Sequence, residues 1–502
     1  MWSNYQEAIF EQVRNTRNNL VVVARAGSGK TTTIVQSLSE VPETSQVLLC
    51  AFNKAIQKEL EKKAPKHVKV QTLHGLGYGT LLRNNIKFDV EENKAYTLVR
   101  AITEDRFNDL TGSDARNAIK RLMGLAKNMV VGCTDDVSKD TADLIEIAED
   151  FDLDDPIEYP ASRLAAAAVD VLRVCADLKS PVLNGVAGNK IADLMSAAGK
   201  VLIDYDDMIW LPALKKMKVK SYDVVFVDEA QDLSAAQEYL VENAIGRNGR
   251  IVAVGDDRQA IYGWRGAGSG VLDKIKARFN AVALPLSITY RCPKSVVKLA
   301  NDAVPDLEVA PNAKEGLVKT CTFEEMDAGV AIGDFVLSRT NAPLTAICLR
   351  LLARRIPARI QGKDIGRSLA ALARKSKKTD VPDMILWLQR QLESEKERAE
   401  KSGDERKLEA LQDKVNCLVT LSEGCHKVQQ VVDRIEMIFS DDDDDRVVLL
   451  STVHRAKGLE RDRVWMLDYT FKNINRSREE QNIWYVAVTR AKSELHRVTT
   501  QF

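Results

Sequence analysis

Leu20-Val21-Val22-Val23-Ala24-Arg25-Ala26-Gly27-Ser28-Gly29-Lys30-Thr31-Thr32 is the stretch whose reading decides the fold. Its short apolar run reads as a buried parallel strand, its small-residue loop follows, and a helical pattern over 31–38 closes the unit. This is G-x-x-x-x-G-K-[ST] with Ala24 in place of the first glycine. Gly27 and Gly29 let backbone N–H groups turn toward a polyphosphate, and the following helix presents the positive end of its dipole to the same anion. Lys30 is expected to reach the β and γ phosphates, and Thr31 to hold Mg²⁺ through its hydroxyl. Ala24, Arg25, Ala26, Ser28 and Thr32 complete the expected cradle.

A second element belongs with such a loop. It stands at Val224-Val225-Phe226-Val227-Asp228-Glu229-Ala230-Gln231-Asp232, an apolar strand ending in two carboxylates. Asp228 is placed to bind Mg²⁺ through water, and Glu229 to orient and deprotonate the attacking water. Alone, an Asp-Glu pair after a strand is more often a helix cap. Next to a phosphate loop it points to nucleotide hydrolysis.

Outward from these elements, apolar runs at 20–23, 47–51, 68–71, 224–227 and 251–254 alternate with helical patterns, the signature of an open parallel α/β sheet. From 78 to about 203 the strand signal fades and helical periodicity takes over at 95–105, 116–127 and 161–176. A second set of strands is expected at 282–286, 335–337, 359–361, 447–450 and 464–467. It is interrupted by a charged helical stretch, 385–434, read as a helical hairpin with an exposed face. The five aspartates 441–445 read as a solvated connector, because consecutive side chains cannot all converge on one ion.

The 502 residues, 45% apolar and 29% charged, are enough for several buried cores, and no repeat of solenoid length is visible. Lys plus Arg equals Asp plus Glu at 72 each, so any nucleic-acid surface must be local. The eight cysteines are scattered without zinc-ligand spacing and read as reduced thiols. No N-terminal leader pattern and no run of about 18 apolar residues is present, so a soluble, unexported, cytoplasmic protein is expected.

Several longer stretches identify a relationship. Asp228-Glu229-Ala230-Gln231-Asp232, the stretch Gly255-Asp256-Asp257-Arg258-Gln259-Ala260-Ile261-Tyr262-Gly263-Trp264-Arg265-Gly266-Ala267, Thr289-Tyr290-Arg291, Thr452-Val453-His454-Arg455-Ala456-Lys457-Gly458-Leu459-Glu460 and Tyr485-Val486-Ala487-Val488-Thr489-Arg490-Ala491-Lys492 follow in order. They resemble the second to sixth motifs of the UvrD, PcrA and Rep branch of superfamily 1, the 3′-to-5′ DNA helicases. The resemblance implies two RecA-like P-loop NTPase domains, each interrupted by a mainly helical insertion. The expected boundaries are 1–78 with 204–281 for the first domain, 79–203 for its insertion, 282–365 with 446–502 for the second, and 366–445 for a short charged insertion there.

The resemblance also implies roles. Gln259 senses the γ-phosphate, while Arg291 and Arg490 reach from the second domain as arginine fingers, spreading positive charge over the transferring phosphoryl group. Tyr290 stacks on adenine, Gln6 binds its edge, and Glu460 contacts the ribose. Tyr262 and Trp264, with Arg265 beside them, offer stacking rings for a single strand a few residues from Gln259. Phe52 and Asn53, in Cys50-Ala51-Phe52-Asn53-Lys54, resemble a further motif that is one residue longer in the family. His74, in Thr72-Leu73-His74-Gly75, resembles the family's Thr-Phe-His-Ser with two departures. Thr452 and His454 complete the expected strand contacts.

The implied activity is ATP-dependent movement along single-stranded DNA in replication, repair or recombination, with single strands and 3′-tailed duplexes as substrates. Replication or repair proteins are expected partners, no membrane is, and the motor is expected to be a monomer in a bacterial or phage-infected cell. No room for a nuclease domain follows Arg490, which argues against a helicase-nuclease. The alternative is a translocase that remodels protein–DNA or RNA complexes without processive unwinding.

Overall fold

The computed structural model describes residues 2–151, 153–154, 159–178, 201–261, 263, 270–402, 406–440, 446–472, 474 and 477–501. They divide into two compact units, Met1–Ala24 with Gly29–Leu286, and Arg25–Ser28 with Ser287–Phe502.

In the first unit, β1 (Leu20–Ala24), β2 (Val47–Ala51) and β3 (Val68–Thr72) precede a short parallel ribbon of β4 (Phe88–Val90) and β5 (Val201–Ile203). β6 (Tyr222–Val227), β7 (Ile245–Gly255) and β8 (Val282–Leu286) follow. The parallel sheet runs β3-β2-β6-β7-β1-β8. Alternate residues bury into two cores, with Val21, Leu48, Val225 and Ile251 in one. Leu20, Val22, Leu49, Phe226 and Val252 fill the other. Burial on both faces is why β1, β2, the end of β6 and the end of β7 read as unbroken apolar runs. After β1 the chain crosses toward β2, and after β7 it crosses the other way toward β8. The carboxyl ends of β1 and β7 therefore flank a topological switch point, where open α/β sheets place ligands.

Between β4 and β5 lie helices Lys94–Arg106, Ser113–Met129, Val137–Asp150 and Ala161–Ala176, around a core of their own with Leu98, Ile119, Leu144 and Leu172. Helix Tyr205–Leu214 returns the chain to the sheet. It lies so close to helix Leu73–Arg83 that a Cβ on Gly77 would stand 1.9 Å from the Met208 carbonyl oxygen, so only glycine fits.

The second unit pairs β9 (Ile288–Thr289) with β10 (Glu308–Val309). Its main sheet contains β11 (Leu317–Cys321), β12 (Phe335–Ser338), β13 (Ala358–Gln361), β14 (Phe439–Ser440), β15 (Val448–Thr452), β16 (Arg461–Leu467) and β17 (Ala491–Val498). It is parallel in the order β11-β17-β16-β12-β15-β13-β14. Helices Lys363–Lys375, Val381–Ser402, Arg406–Ser422 and Val428–Ile438 lie between β13 and β14.

One assignment needs correction. The strand at Val282–Leu286 was expected in the second sheet, but it pairs in parallel with β1 at the edge of the first, Val282 opposite Leu20 and Leu286 opposite Ala24. The first unit thus runs on to Leu286. β11 and β17 were not anticipated, and the aspartate run 441–445 lies outside the described residues.

Candidate functional site

The phosphate loop ends at Gly29, whose φ of +80° caps helix Lys30–Ser39 in a conformation that favours glycine. This puts Lys30 at the first helical position, where its Nζ lies 2.8 Å from Glu229 Oε1. Burial pulls the Lys30 pKa down, but Glu229, Asp228 and Asp256 outweigh it and hold it above the ordinary lysine value. The lysine stays charged.

Glu229 follows β6 with φ +50°, a left-handed conformation that costs a non-glycine residue about 1–2 kcal/mol. That turn brings its carboxylate to Lys30. The Glu229 N–H donates to Asp228 Oδ1 at 2.9 Å, and the Asp228 side chain is nearly buried. Beyond β7, a 3₁₀ turn Asp257–Gln259 holds Gln259 buried, its amide Nε2 donating to Asp256 Oδ2 at 2.7 Å. Lys30, Asp228, Glu229 and Gln259 are therefore gathered at the carboxyl edge of the first sheet.

The donor set fits a Mg²⁺–polyphosphate. The half-buried Thr31 hydroxyl and the buried Asp228 carboxylate are hard oxygen donors of the kind Mg²⁺ takes beside phosphate oxygens. Ser28 Oγ is buried without a hydrogen-bond partner, a hydroxyl that a phosphate oxygen satisfies. Among the described residues no group of three or more His, Cys, Asp or Glu could hold a metal by itself.

Gln6 is buried at the start of helix Asn4–Asn15, in a capping box with Ser3, and its Nε2 donates to Thr33 Oγ1 at 3.1 Å on the helix that follows the phosphate loop. Arg250 grips the other end of that helix, donating to the carbonyls of Val13 and Thr16. Thr32 is exposed.

Phe52 is 43% exposed just past β2. Asn53 caps helix Lys54–Lys63, its Oδ1 accepting the Ile56 N–H at 2.9 Å. His74 is half-buried in the first turn of helix Leu73–Arg83. Phe52 and His74 line one crevice with Asp228, Glu229 and Asp232, so the two ring-bearing candidates and these carboxylates share a wall. Burial lowers the His74 pKa, which keeps the imidazole neutral at pH 7. Because the unfolded chain binds that proton more readily, stability is greatest above the unfolded value and falls as pH drops below it. His74→Gln is expected to flatten this part of the acid limb in urea unfolding measured across pH 5–7. Tyr262, Trp264 and Arg265 lie outside the described residues.

In the second unit, the Arg25 Nη2 pairs with Asp306 at 2.6 Å, the Ala26 N–H donates to the Tyr485 hydroxyl at 3.0 Å, and the Gly27 carbonyl accepts from the Tyr290 N–H at 2.8 Å. The Tyr290 ring is 52% exposed. Arg291 forms an ion pair with Glu460. Arg490 is buried, donating to the carbonyls of Val486 and Leu459 at 2.9 and 3.2 Å. Burial first, and then the neighbouring Arg291 charge, push its pKa down to about 9, so it remains charged at pH 7. Thr452 ends β15 and is buried, and His454 is half-buried in the helical turn after it.

Sequence reasoning gave no role to Gln231. It is buried between Glu229 and Asp256 and touches both. A glutamine two residues beyond Glu229 carries no signal of its own when the sequence is read alone.

Comparisons with known proteins follow the same outline. Residues 5–280, more than half of the chain, match the UvrD/REP helicase N-terminal domain, and residues 363–501 match the UvrD-like helicase C-terminal domain. F-box DNA helicase protein 1 of Schizosaccharomyces pombe is 25% identical over 98% of this chain and 56% of its own length. The ATP-dependent DNA helicase PcrA of Staphylococcus aureus is 24% identical over 59% of this chain and 39% of its own. A probable DNA helicase II homolog of Mycoplasma genitalium is 24% identical over 56% of this chain and 40% of its own. The chain thus spans about half or less of the length of these relatives. Among the described residues no helix is long and apolar enough to cross a membrane.

Proposed function

Because the chain belongs to the UvrD/REP helicase family, we propose that it hydrolyses ATP to move 3′-to-5′ along single-stranded DNA and to separate duplexes carrying a 3′ tail. The observation that carries this reading is the convergence of Lys30, Asp228, Glu229 and Gln259 at one sheet edge, beside a crevice that Phe52 and His74 also line. Lys30 binds the β and γ phosphates, while Thr31 and Asp228 hold Mg²⁺, which neutralises phosphate charge. Glu229 orients the attacking water and accepts its proton. Gln259 faces the γ-phosphate, and Arg291 and Arg490 supply positive charge to the transferring group. Gln6 and Tyr290 serve the adenine, and Glu460 the ribose.

Phe52, with Asn53, His74, Tyr262, Trp264, Arg265, Thr452 and His454, holds the strand. Stacking on aromatic rings lets a protein of zero net charge grip a polyanion, at about 1–3 kcal/mol per base. Phe52→Ala is expected to weaken binding of a fluorescent oligo-dT by about that amount in anisotropy titrations, with thermal stability unchanged, since the ring is already exposed.

An unwinding assay with 3′-tailed, 5′-tailed and blunt DNA tests the reading, with Lys30→Ala as the silent control. Preference for the 5′ tail overturns the polarity. Strand-stimulated hydrolysis without unwinding of any substrate favours a translocase that remodels complexes instead.

A further inference from the structure

Gln231 touches both halves of the hydrolytic site. Its Nε2 donates to Glu229 Oε2 at 2.5 Å, and its Oε1 accepts the Asp256 N–H at 3.0 Å. The Asp256 carboxylate in turn accepts from the Gln259 Nε2 at 2.7 Å, and the Gln259 N–H donates to the Asp256 carbonyl at 2.9 Å. One continuous path of hydrogen bonds thus runs from Glu229 through Gln231 and Asp256 to Gln259. The two oxygens of Glu229 are divided, Oε1 to Lys30 and Oε2 to Gln231. The backbone is cut to admit this amide. A Cβ on Gly255 would stand 2.4 Å from Gln231 Oε1 and 3.2 Å from the Gln231 N, so any larger residue there displaces the glutamine.

We propose that Gln231 is a positioning residue that aims the Glu229 carboxylate and ties it to Gln259, so that the water-orienting group and the γ-phosphate-facing amide are set as one unit. This rests on the hydrolytic reading above. An amide suits the task because it offers a donor to Glu229 and an acceptor to Asp256 at once, and because buried polar groups linked in a chain fix each other's orientation. Glu229 needs such a guide, because its own backbone turns through a left-handed conformation. Gln231 itself touches no reacting atom.

The test is steady-state ATP hydrolysis by the full chain with and without oligo-dT, beside binding of a fluorescent ATP analogue. Gln231→Glu keeps the size and the acceptor but sets a second carboxylate against Glu229. It is expected to lower kcat by about 10²-fold, the scale on which a misplaced catalytic group acts, with KM and analogue affinity nearly unchanged. Gly255→Ala, which leaves Gln231 in the sequence but crowds its oxygen, is expected to lower kcat in the same manner. The path also predicts coupling. Gln231→Ala and Gln259→Ala together are expected to cost little more than the worse of the two, whereas independent sites multiply their losses. Wild-type kcat in Gln231→Glu and Gly255→Ala, or multiplicative losses in the double variant, overturns the proposal while leaving the hydrolytic reading intact. A wild-type chain that binds the analogue and releases no phosphate overturns both. Should Gln231→Glu fail to fold, Gly255→Ala and the alanine cycle decide the matter.

Discussion

Glu229→Gln is expected to lower strand-stimulated phosphate release by about 10³-fold, within the range a general base supplies, while nucleotide binding survives. The substitution keeps the shape and one acceptor, so Lys30 or Gln231 retains a partner, but not both. It removes the only feature that matters for accepting a proton, the carboxylate itself. Lys30→Ala is expected to act differently: it deletes the cation proposed to meet the phosphates, so nucleotide affinity should fall with turnover. The two are separated by measuring analogue binding and rapid-quench hydrolysis on each. Undiminished single-turnover hydrolysis in Glu229→Gln would move the water-orienting role to another group. Lost binding in that variant would instead make Glu229 a partner of Lys30 and nothing more.

What the sequence disclosed follows from the kind of signal each feature leaves. The carboxyl ends of β1 and β6 were legible because an apolar run, a turn and a functional residue type sit side by side in the chain. Membership of a sheet leaves no such mark. Val282–Leu286 reads as a strand but not as a partner of β1, because an edge position beside a strand 262 residues earlier is fixed only by tertiary pairing. β11 and β17 escaped because they mix charged and apolar residues, and β11 buries little beyond Cys321. Asn53 was singled out for a strand and is also a helix cap, two uses of one side chain that the local pattern cannot separate. Gln231 lay in plain view within a quoted motif. Its meaning depends on Asp256, and only the fold brings the two together.

Asp207→Asn is expected to destabilise the first unit by about 3–5 kcal/mol, the cost of removing one member of a buried ion pair and leaving the other uncompensated. Asp207 is completely buried, with the Lys94 ammonium at 2.6 Å and the Lys127 ammonium at 2.8 Å, both nearly inaccessible. Asp204 offers Lys127 a second carboxylate at 3.1 Å and shares a capping box with Asp207 at the start of helix Tyr205–Leu214. With Asn at 207, buried Lys94 loses the carboxylate it pairs with at 2.6 Å, while Lys127 keeps Asp204. Burial by itself raises the Asp207 pKa, but Lys127 and Lys94 overcome it and hold it below the usual carboxylate value. Its contribution to stability is accordingly present above the unfolded value and lost as pH falls through the folded one. Urea unfolding of the wild type is expected to show this acid loss, and Asp207→Asn to lack that part of it. Adding Lys94→Met to Asp207→Asn is expected to restore part of the stability, because one unmatched ammonium is gone. A further drop would show that Lys94 supports the fold through its stem and not its charge. The three helices joined by this cluster start at or carry Lys94, Lys127 and Asp207, and the last of them is pressed against the helix bearing His74. Loosening it is therefore expected to weaken oligo-dT binding at temperatures where the variant remains folded, while analogue binding at Lys30 holds.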